Sequence, residues 1–496
     1  MEPSPSSGSA RFVGVSGLVD ALTEIVGSEG CLSRADELFP YECDGLSLHA
    51  ARPGAVVFPR DTSDVARIVR TCLEHGRSFV PRGAGTGLSG GALACDEAVV
   101  IECSRMNRVL EVDPEDRWAR VQPGLVNADL SRAVSHHGLF YAPDPSSQLA
   151  CTIGGNVAEN SGGPHTLKYG TTTDHVLALE LVLPSGEVVR LGCKTGAAPG
   201  YDLVGAVVGS EGTLGIVTEV TVRLEPIPEA VETLLGIFDD VVSACRGVGE
   251  IIRSGLVPAA LEILDRRTIE AVEASVHAAG LPRDAGAVLL VEIDGPAVAL
   301  PAQVEAIRII LERSRAVRID VARDAKERQR FWAARKGAFG AMGRLAPDLY
   351  VHDAVVPRAK LPEVIARVCE IGDRYGLKLS NVFHAGDGNL HPNISFDRRD
   401  PGELDRVLKA GDEILRACIA AGGVITGEHG VGTEKRDFME LLFREVDLDA
   451  MKLLRGAFDP ENRCNPGKIL PSTHFCMEAN PKARGYDRVP LGTDEP

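Results

Sequence analysis

The run Pro81-Arg82-Gly83-Ala84-Gly85-Thr86-Gly87-Leu88-Ser89-Gly90-Gly91 constrains this chain most. It follows directly on a short apolar strand signal at Phe79-Val80 and precedes another at Ala98–Cys103. Glycine lets backbone N–H groups turn toward an anion and lets the chain approach it closely, so such a run between strands reads as a cradle for a ligand. It is not a triphosphate loop, because no Gly-Lys-Ser/Thr ending is present. Gly85, Gly87 and Gly90 do give a G-x-G-x-x-G spacing. The dinucleotide fingerprint also requires a following helix and an acidic residue about 20 positions on, whereas Gly91-Ala92-Leu93 lead toward a strand. Two more glycine-rich stretches follow. One is Pro143-Asp144-Pro145-Ser146-Ser147 with C-T-I-G-G-N-V-A-E-N-S-G-G over 151–163; the other is G-S-E-G-T-L-G-I-V over 209–217. Three such loops point to a long ligand enclosed from several sides, of dinucleotide size.

The surrounding pattern is mixed. Residues 1 to about 50 read as a helical lead-in with turns. Then come a strand at 55–58, a helix opened by N-cap candidates at Asp61–Ser63, hairpin arms at 109–112 and 118–121, a second hairpin at 176–183 and 188–191, and a strand at 215–224. Pro226 and Pro228 mark a boundary. Beyond it, strands are expected at 233–238, 287–293, 350–356 and 378–384. Helices are expected at 240–254, 301–313, 324–343, 361–375 and 402–421. This is an α+β layout with helices on one face of a sheet.

Charge and cysteine usage narrow the class. With 53 Lys and Arg against 70 Asp and Glu, the net charge of −17 disfavours nucleic acid and anionic membrane surfaces as partners. The 12 cysteines include no C-x-x-C pair, so an iron–sulfur cluster or structural zinc within this chain is not expected. Met1–Phe12 has no basic start followed by an apolar run, and no apolar stretch approaches the roughly 20 residues of a membrane span. The expectation is a cytoplasmic protein without a transmembrane segment.

A second constellation lies far downstream, in N-V-F-H-A-G-D-G-N-L-H-P-N over 381–393 and G-E-H-G-V-G over 427–432. His384 ends a strand, Gly386-Asp387-Gly388 makes a turn, and His391 opens the next segment, with Asn393 two residues on and facing the same side. On residues alone two readings stand. The histidines flank a turn and are hydrogen-bonded, or His384, His391 and Glu428 form a two-His, one-carboxylate set suited to Zn, Mn or Fe.

The three glycine-rich strings, taken in order, resemble the PCMH-type FAD-binding domain of the vanillyl-alcohol-oxidase and cresol-methylhydroxylase flavoproteins. The two downstream strings resemble the FAD-linked oxidase C-terminal domain. The resemblance spans about Asp36 to Pro471. It implies an α+β fold: a lead-in over 1–50, a two-subdomain PCMH-type FAD domain over 51–227, a substrate and metal domain with a ferredoxin-like sheet over 228–471, and a polar tail over 472–496. It implies that FAD lies on Pro81, Arg82, Gly83, Ala84, Gly85, Thr86, Gly87, Leu88 and Ser89 of the first loop. Pro143, Asp144, Ser147, Gly154, Gly155, Asn156, Ala158, Asn160 and Gly163 would follow, with Tyr169 and Gly170. The remaining cofactor positions are Glu211, Gly212, Gly215, Ile216 and Val217, and finally Asn465. Covalent members carry a His where this chain has Thr86, so the FAD is expected to be non-covalent.

In the same family the residues matching His384, His391 and Glu428 bind a divalent metal. Those matching His429, Arg335 and Asn393 serve as base, carboxylate grip and substrate contact. A guanidinium suits the grip because its fork pairs bidentately with a carboxylate. Members acting on 2-hydroxyglutarate carry Thr and Lys where this chain has Phe339 and Val351, so a small monocarboxylate is implied. Agreement at Pro40–Ser47, Arg335-Lys336 with Gly343-Arg344, and Cys464–Lys468 is with the glycolate-oxidising members. Those members hand a hydride from C2 to flavin N5, giving glyoxylate. They work beside a second FAD-domain subunit and an iron–sulfur subunit, and through these sit peripherally at the inner face of the membrane. Oxidation of D-lactate is the alternative within the family. A metal-dependent hydrolase would leave the glycine-rich loops unexplained. A non-catalytic flavin subunit would not need Arg335, His384, His391, Glu428 and His429.

Overall fold

The computed structural model describes residues 15–471 except 96, 197 and 198; the polar tail and the first 14 residues lie outside this range. The lead-in does more than precede the fold. Helix Val15–Val26 buries Leu18, Leu22 and Ile25 in the first core, and strand Cys31–Leu32 adds an antiparallel edge to the first sheet.

That sheet continues with three parallel strands, in the order Ala55–Val57, Val99–Glu102, Phe79–Arg82. Helix Thr62–Glu74 crosses over it. Asp61 accepts a hydrogen bond from Asp64 N–H as its cap, and Val65, Ile68, Val69 and Cys72 form its buried stripe. The second sheet is antiparallel, ordered Val109–Asp113, Trp118–Val121, Ile216–Arg223, Val176–Val182, Val188–Gly192, and contains both expected hairpins. The stretch Ile153–Glu159 is helical despite its two glycines. Thr152 Oγ1 accepts from Gly155 N–H, and Ile153 and Val157 are buried in the second core, so capping and packing outweigh poor propensity.

The second half is built on one nine-stranded sheet whose pairings are all antiparallel. The α+β class stands, but helices cover both faces. Val241–Arg253, Leu300–Arg313, Leu361–Tyr375 and Pro401–Ala420 pack on one side. Arg266–Glu273 and Ala325–Met342 pack on the other. The reason is in the strands: Ala287–Ile293 is buried at every position, and a strand apolar on both sides needs both sides covered. Strands Ala260–Asp265 and Arg318–Val321 and helix Glu445–Phe458 were not anticipated from the sequence.

The last described stretch returns to the first half. Phe79 N–H donates to Arg463 O and Asn465 N–H donates to Phe79 O, extending the first sheet; Cys464 is fully buried in that sheet's core. Lys468 Nζ donates to Leu93 O and Asn465 Nδ2 to Gly91 O. Among the described residues no helix is long and apolar enough to cross a membrane.

Candidate active site

A cleft of about 400 Å³ runs between the two halves. Its first-half wall is the three glycine-rich loops: Pro81–Leu88, Ser147 with Gly154, Gly155, Asn156 and Ala158, and Glu211, Gly212, Gly215, Ile216 and Val217. The opposing wall carries Arg335, Phe339, Val351, Val382, His391, Asn393, Glu428 and His429. In the first loop Gly85 takes φ +67°, and a Cβ there would lie 2.2 Å from the Arg82 guanidinium, so a side chain would be strained and would have to displace that group. That guanidinium turns away to Cys43 O and Ala92 O, leaving backbone at the cleft wall. Narrow loops with bare backbone facing a long cleft fit a dinucleotide-sized cofactor.

Several residues expected at the cofactor do not line this cleft. Ser89 is fully buried, and its carbonyl accepts from Thr433 and Glu434 N–H. Pro143 O accepts from Asn127 Nδ2, and Asp144 pairs with His165. Asn160 ends helix Ile153–Glu159 in the left-handed region, and Gly163 is pressed against Asp144 O. Tyr169 OH donates to Asp294 Oδ2, and Gly170 sits at φ +84° beside Asp174. Asn465 Nδ2 donates to Gly91 O and Glu211 O.

At the far end of the cleft the predicted metal set converges. His384 Nε2 lies 3.3 Å and His391 Nε2 3.2 Å from Glu428 Oε1. Both Nδ1 atoms are anchored elsewhere, His384 on Glu262 Oε1 at 2.8 Å and His391 on the carbonyl of His352 at 3.3 Å. Glu428 Oε2 is buried without a partner. Two imidazoles held by one nitrogen and aimed by the other at a shared carboxylate could hold a metal ion, with Glu262 and the His352 carbonyl as outer partners. Burial alone would lower the His384 pKa, but Glu262 and Glu428 raise it well above the ordinary value. Burial likewise pushes Glu428 up, while His384 and His391 override it and hold the carboxyl well below the usual range.

Arg335, on the long helix Ala325–Met342, reaches this cluster from above. Its Nε donates to Glu262 Oε2 and its Nη2 lies 3.3 Å from His384 Nδ1. Glu262 faces His384 directly across the ladder, so one fully buried carboxylate orients both the guanidinium and the imidazole. Neither motif spacing nor the resemblance pointed to Glu262. The signal was a lone carboxylate inside the apolar strand A-L-E-I-L, where an unpaired charge would be costly.

His429 stacks on His391, ring centroids 5.0 Å apart, in a loop organised by Asp353, also unanticipated. Asp353 Oδ2 accepts from Gly427, Glu428 and His429 N–H and from Thr426 Oγ1, with Lys435 Nζ 3.5 Å away. Burial would raise the Asp353 carboxyl, but His429, Lys435 and His391 keep it ionised. For His429, burial dominates over the attraction of Asp353, and the imidazole is pulled down to about 4, so it is neutral at pH 7. Asn393 Nδ2 donates to His391 O, and its Oδ1 is buried without a partner on the cleft wall.

Family comparisons agree with this architecture. Residues 53–192 match the model described as FAD binding domain, and residues 227–469 the model described as FAD linked oxidases, C-terminal domain. The chain is 45% identical over 458 residues to "Glycolate oxidase subunit GlcD" of Escherichia coli (strain K12), covering 92% of each. It is 43% identical to the Bacillus subtilis (strain 168) protein of the same name, covering 87% of this chain and 92% of that one. It is 33% identical to "D-lactate dehydrogenase" of Anaerostipes hadrus, covering 84% and 90%. Among solved structures, p-cresol methylhydroxylase with substrate bound superposes with TM-score 0.78 at 18% identity, covering 93% and 98%, and is alike in fold.

Proposed function

The chain belongs to the FAD-linked oxidases, and from that premise we propose that it oxidises glycolate to glyoxylate as the flavin subunit of a glycolate oxidase. One observation carries this reading: Arg335, His429 and the His384–His391–Glu428 cluster meet at one end of a cleft whose remainder is lined by the glycine-rich loops. FAD, bound there without a covalent link, supplies the two-electron acceptor for the C2 hydrogen. His384, His391 and Glu428 would hold a divalent metal, Zn, Mn or Fe, which supplies polarisation of the 2-hydroxyl.

The protein's own residues do the rest. Arg335 pairs with the substrate carboxylate, its direction set by Glu262. His429, neutral at pH 7, accepts the hydroxyl proton as the C2 hydrogen leaves with its electron pair. Asn393 Oδ1 and Nδ2 limit where the substrate oxygens lie. Phe339 and Val351 present apolar surface where a second carboxylate would need polar partners, which supports a small monocarboxylate. We propose also that the electrons leave through a second FAD-domain subunit and an iron–sulfur subunit, since the 12 cysteines contain no cluster-binding spacing.

The test is the visible spectrum of the purified chain, followed without oxygen as glycolate or D-lactate is added. Faster bleaching by glycolate supports the assignment. Bleaching by D-lactate alone would move it to a D-lactate dehydrogenase, and a colourless protein that FAD does not reconstitute would overturn it.

A further inference from the structure

Glu211 stands in the third glycine-rich loop at φ +52°, a left-handed conformation that non-glycine residues adopt only where the surroundings hold it. The surroundings do so here. Its N–H donates to Ala158 O and its carbonyl accepts from Asn465 Nδ2. The side chain does not extend along the cofactor loop. It crosses the cleft: Val431 N–H donates to Oε1 at 2.6 Å and Gly432 N–H to Oε2 at 2.8 Å. These amides come two and three residues after His429. The near end of the same loop is held by Asp353 through the amides of 427, 428 and 429. Two buried carboxylates, one from each half of the molecule, therefore fix opposite ends of a six-residue loop that carries Glu428 and His429.

The packing leaves no slack between them. Gly430 sits at φ +83°, and a Cβ there would lie 2.1 Å from Glu159 Oε2 and 3.0 Å from Glu211 Oε1. A Cβ on Gly432 would lie 2.0 Å from Ser89 O, in the first glycine-rich loop. The His429 loop thus meets the cofactor-binding half at Gly430, Val431 and Gly432. In a closed site a displacement near 1 Å costs up to about 10²-fold in rate, even when it originates away from the chemistry.

We infer that Glu211 is a positioning residue for His429, tying the flavin-side loop 209–217 to the loop that carries the base. This rests on the reading of His429 as base. Glutamine at 211 keeps the volume and one acceptor but turns an N–H donor toward an N–H donor, so one end of the clamp opens.

The experiment uses the FAD-loaded full chain. Flavin bleaching by saturating glycolate is timed without oxygen for the unaltered protein, Glu211→Gln, His429→Ala and the double variant, with FAD per chain and KM measured for each. The expected result is a rate about 10- to 100-fold lower for Glu211→Gln, with KM and FAD content little changed and no further loss when His429 is already absent. Loss of FAD in proportion to rate, or the same fold-loss in both backgrounds, would overturn the inference and leave the base intact. An unaffected His429→Ala would overturn the base reading and this one with it. Should Glu211→Gln not accumulate folded, Glu211→Asp shortens the clamp with charge retained. It should lower the rate, again only with His429 present, and speed amide exchange at Val431 and Gly432; unchanged exchange would refute the clamp.

Discussion

Replacing Glu262 with Gln tests whether the proposed metal ligand His384 is oriented by its outer partner. Glu262 accepts two charge-assisted bonds in a fully buried position, from Arg335 Nε at 2.5 Å and from His384 Nδ1 at 2.8 Å. Accepting from Nδ1–H leaves the lone pair on Nε2, the atom aimed at Glu428 Oε1. A glutamine amide has one acceptor. If its oxygen serves Arg335, its N–H₂ faces Nδ1 and drives the ring proton to Nε2, the wrong nitrogen for a ligand. If it serves His384, the N–H₂ opposes Arg335 Nε–H. Loss of such an outer partner costs about 10- to 100-fold in metal affinity, roughly 1.4–2.7 kcal/mol. The loss of charge beside buried Arg335 costs about 1–3 kcal/mol of stability. The assay is competition between metal-stripped protein and a chromophoric chelator, with Zn and Mn in turn, alongside kcat/KM for glycolate and FAD per chain. FAD content should hold, since the groups Glu262 bonds, Arg335 and His384, belong to the second half. A Glu262→Gln protein with unchanged metal affinity and unchanged kcat/KM would refute the reasoning.

His429→Ala should slow anaerobic flavin bleaching about 10²- to 10⁴-fold with FAD retained; stopped-flow absorbance measures it. Arg335→Lys should lower kcat/KM for glycolate about 10- to 100-fold, because an ammonium does not reproduce the bidentate fork held by Glu262; steady-state kinetics decide. The double change Phe339→Thr with Val351→Lys should raise kcat/KM for a 2-hydroxydicarboxylate relative to glycolate, measured on paired substrates. His165 sits between Asp144 and Glu292 and stacks on Trp332; burial alone would lower it, but the two carboxylates raise it from 6.5 to about 10. Its folded value lies above its unfolded one, so its stabilisation is complete below about 6.5 and fades as pH rises to about 10. The thermal midpoint of His165→Gln should therefore fall short of the unaltered protein at pH 6 and converge with it near pH 10.

The glycine-rich loops and the His-bearing turn were legible because their chemistry is local. A tight backbone needs consecutive glycines, and a hairpin with a histidine at each end shows both ligands in one window. The helix cap at Asp61 was legible for the same reason. Glu262 and Asp353 were not, because each acts across more than 70 residues of chain, and pairing of that kind leaves no periodic trace. Glu211 was legible as part of a motif, but its bonds to the second half were not. The string G-S-E-G put it at the cofactor, and it does line the cleft, but nothing in the string showed its carboxylate bonding the amides of Val431 and Gly432. Helices on both faces of the large sheet were hidden for another reason: a fully buried short strand and a buried helix segment look alike in sequence.

The return of Arg463–Lys468 to the edge of Phe79–Arg82 bears on when this protein can mature. The pairing of Phe79 with Cys464 joins residues 385 positions apart, among the longest-range contacts a single chain makes. Until residues 463–465 have been made, the strand that feeds the first glycine-rich loop lacks this partner, and open edges invite pairing with neighbouring chains. The first sheet is therefore completed only after the second half has been made. The glycine-rich loops of the first half thus take part of their support, at Gly91 and Leu93, from a stretch that is made only after the whole second half.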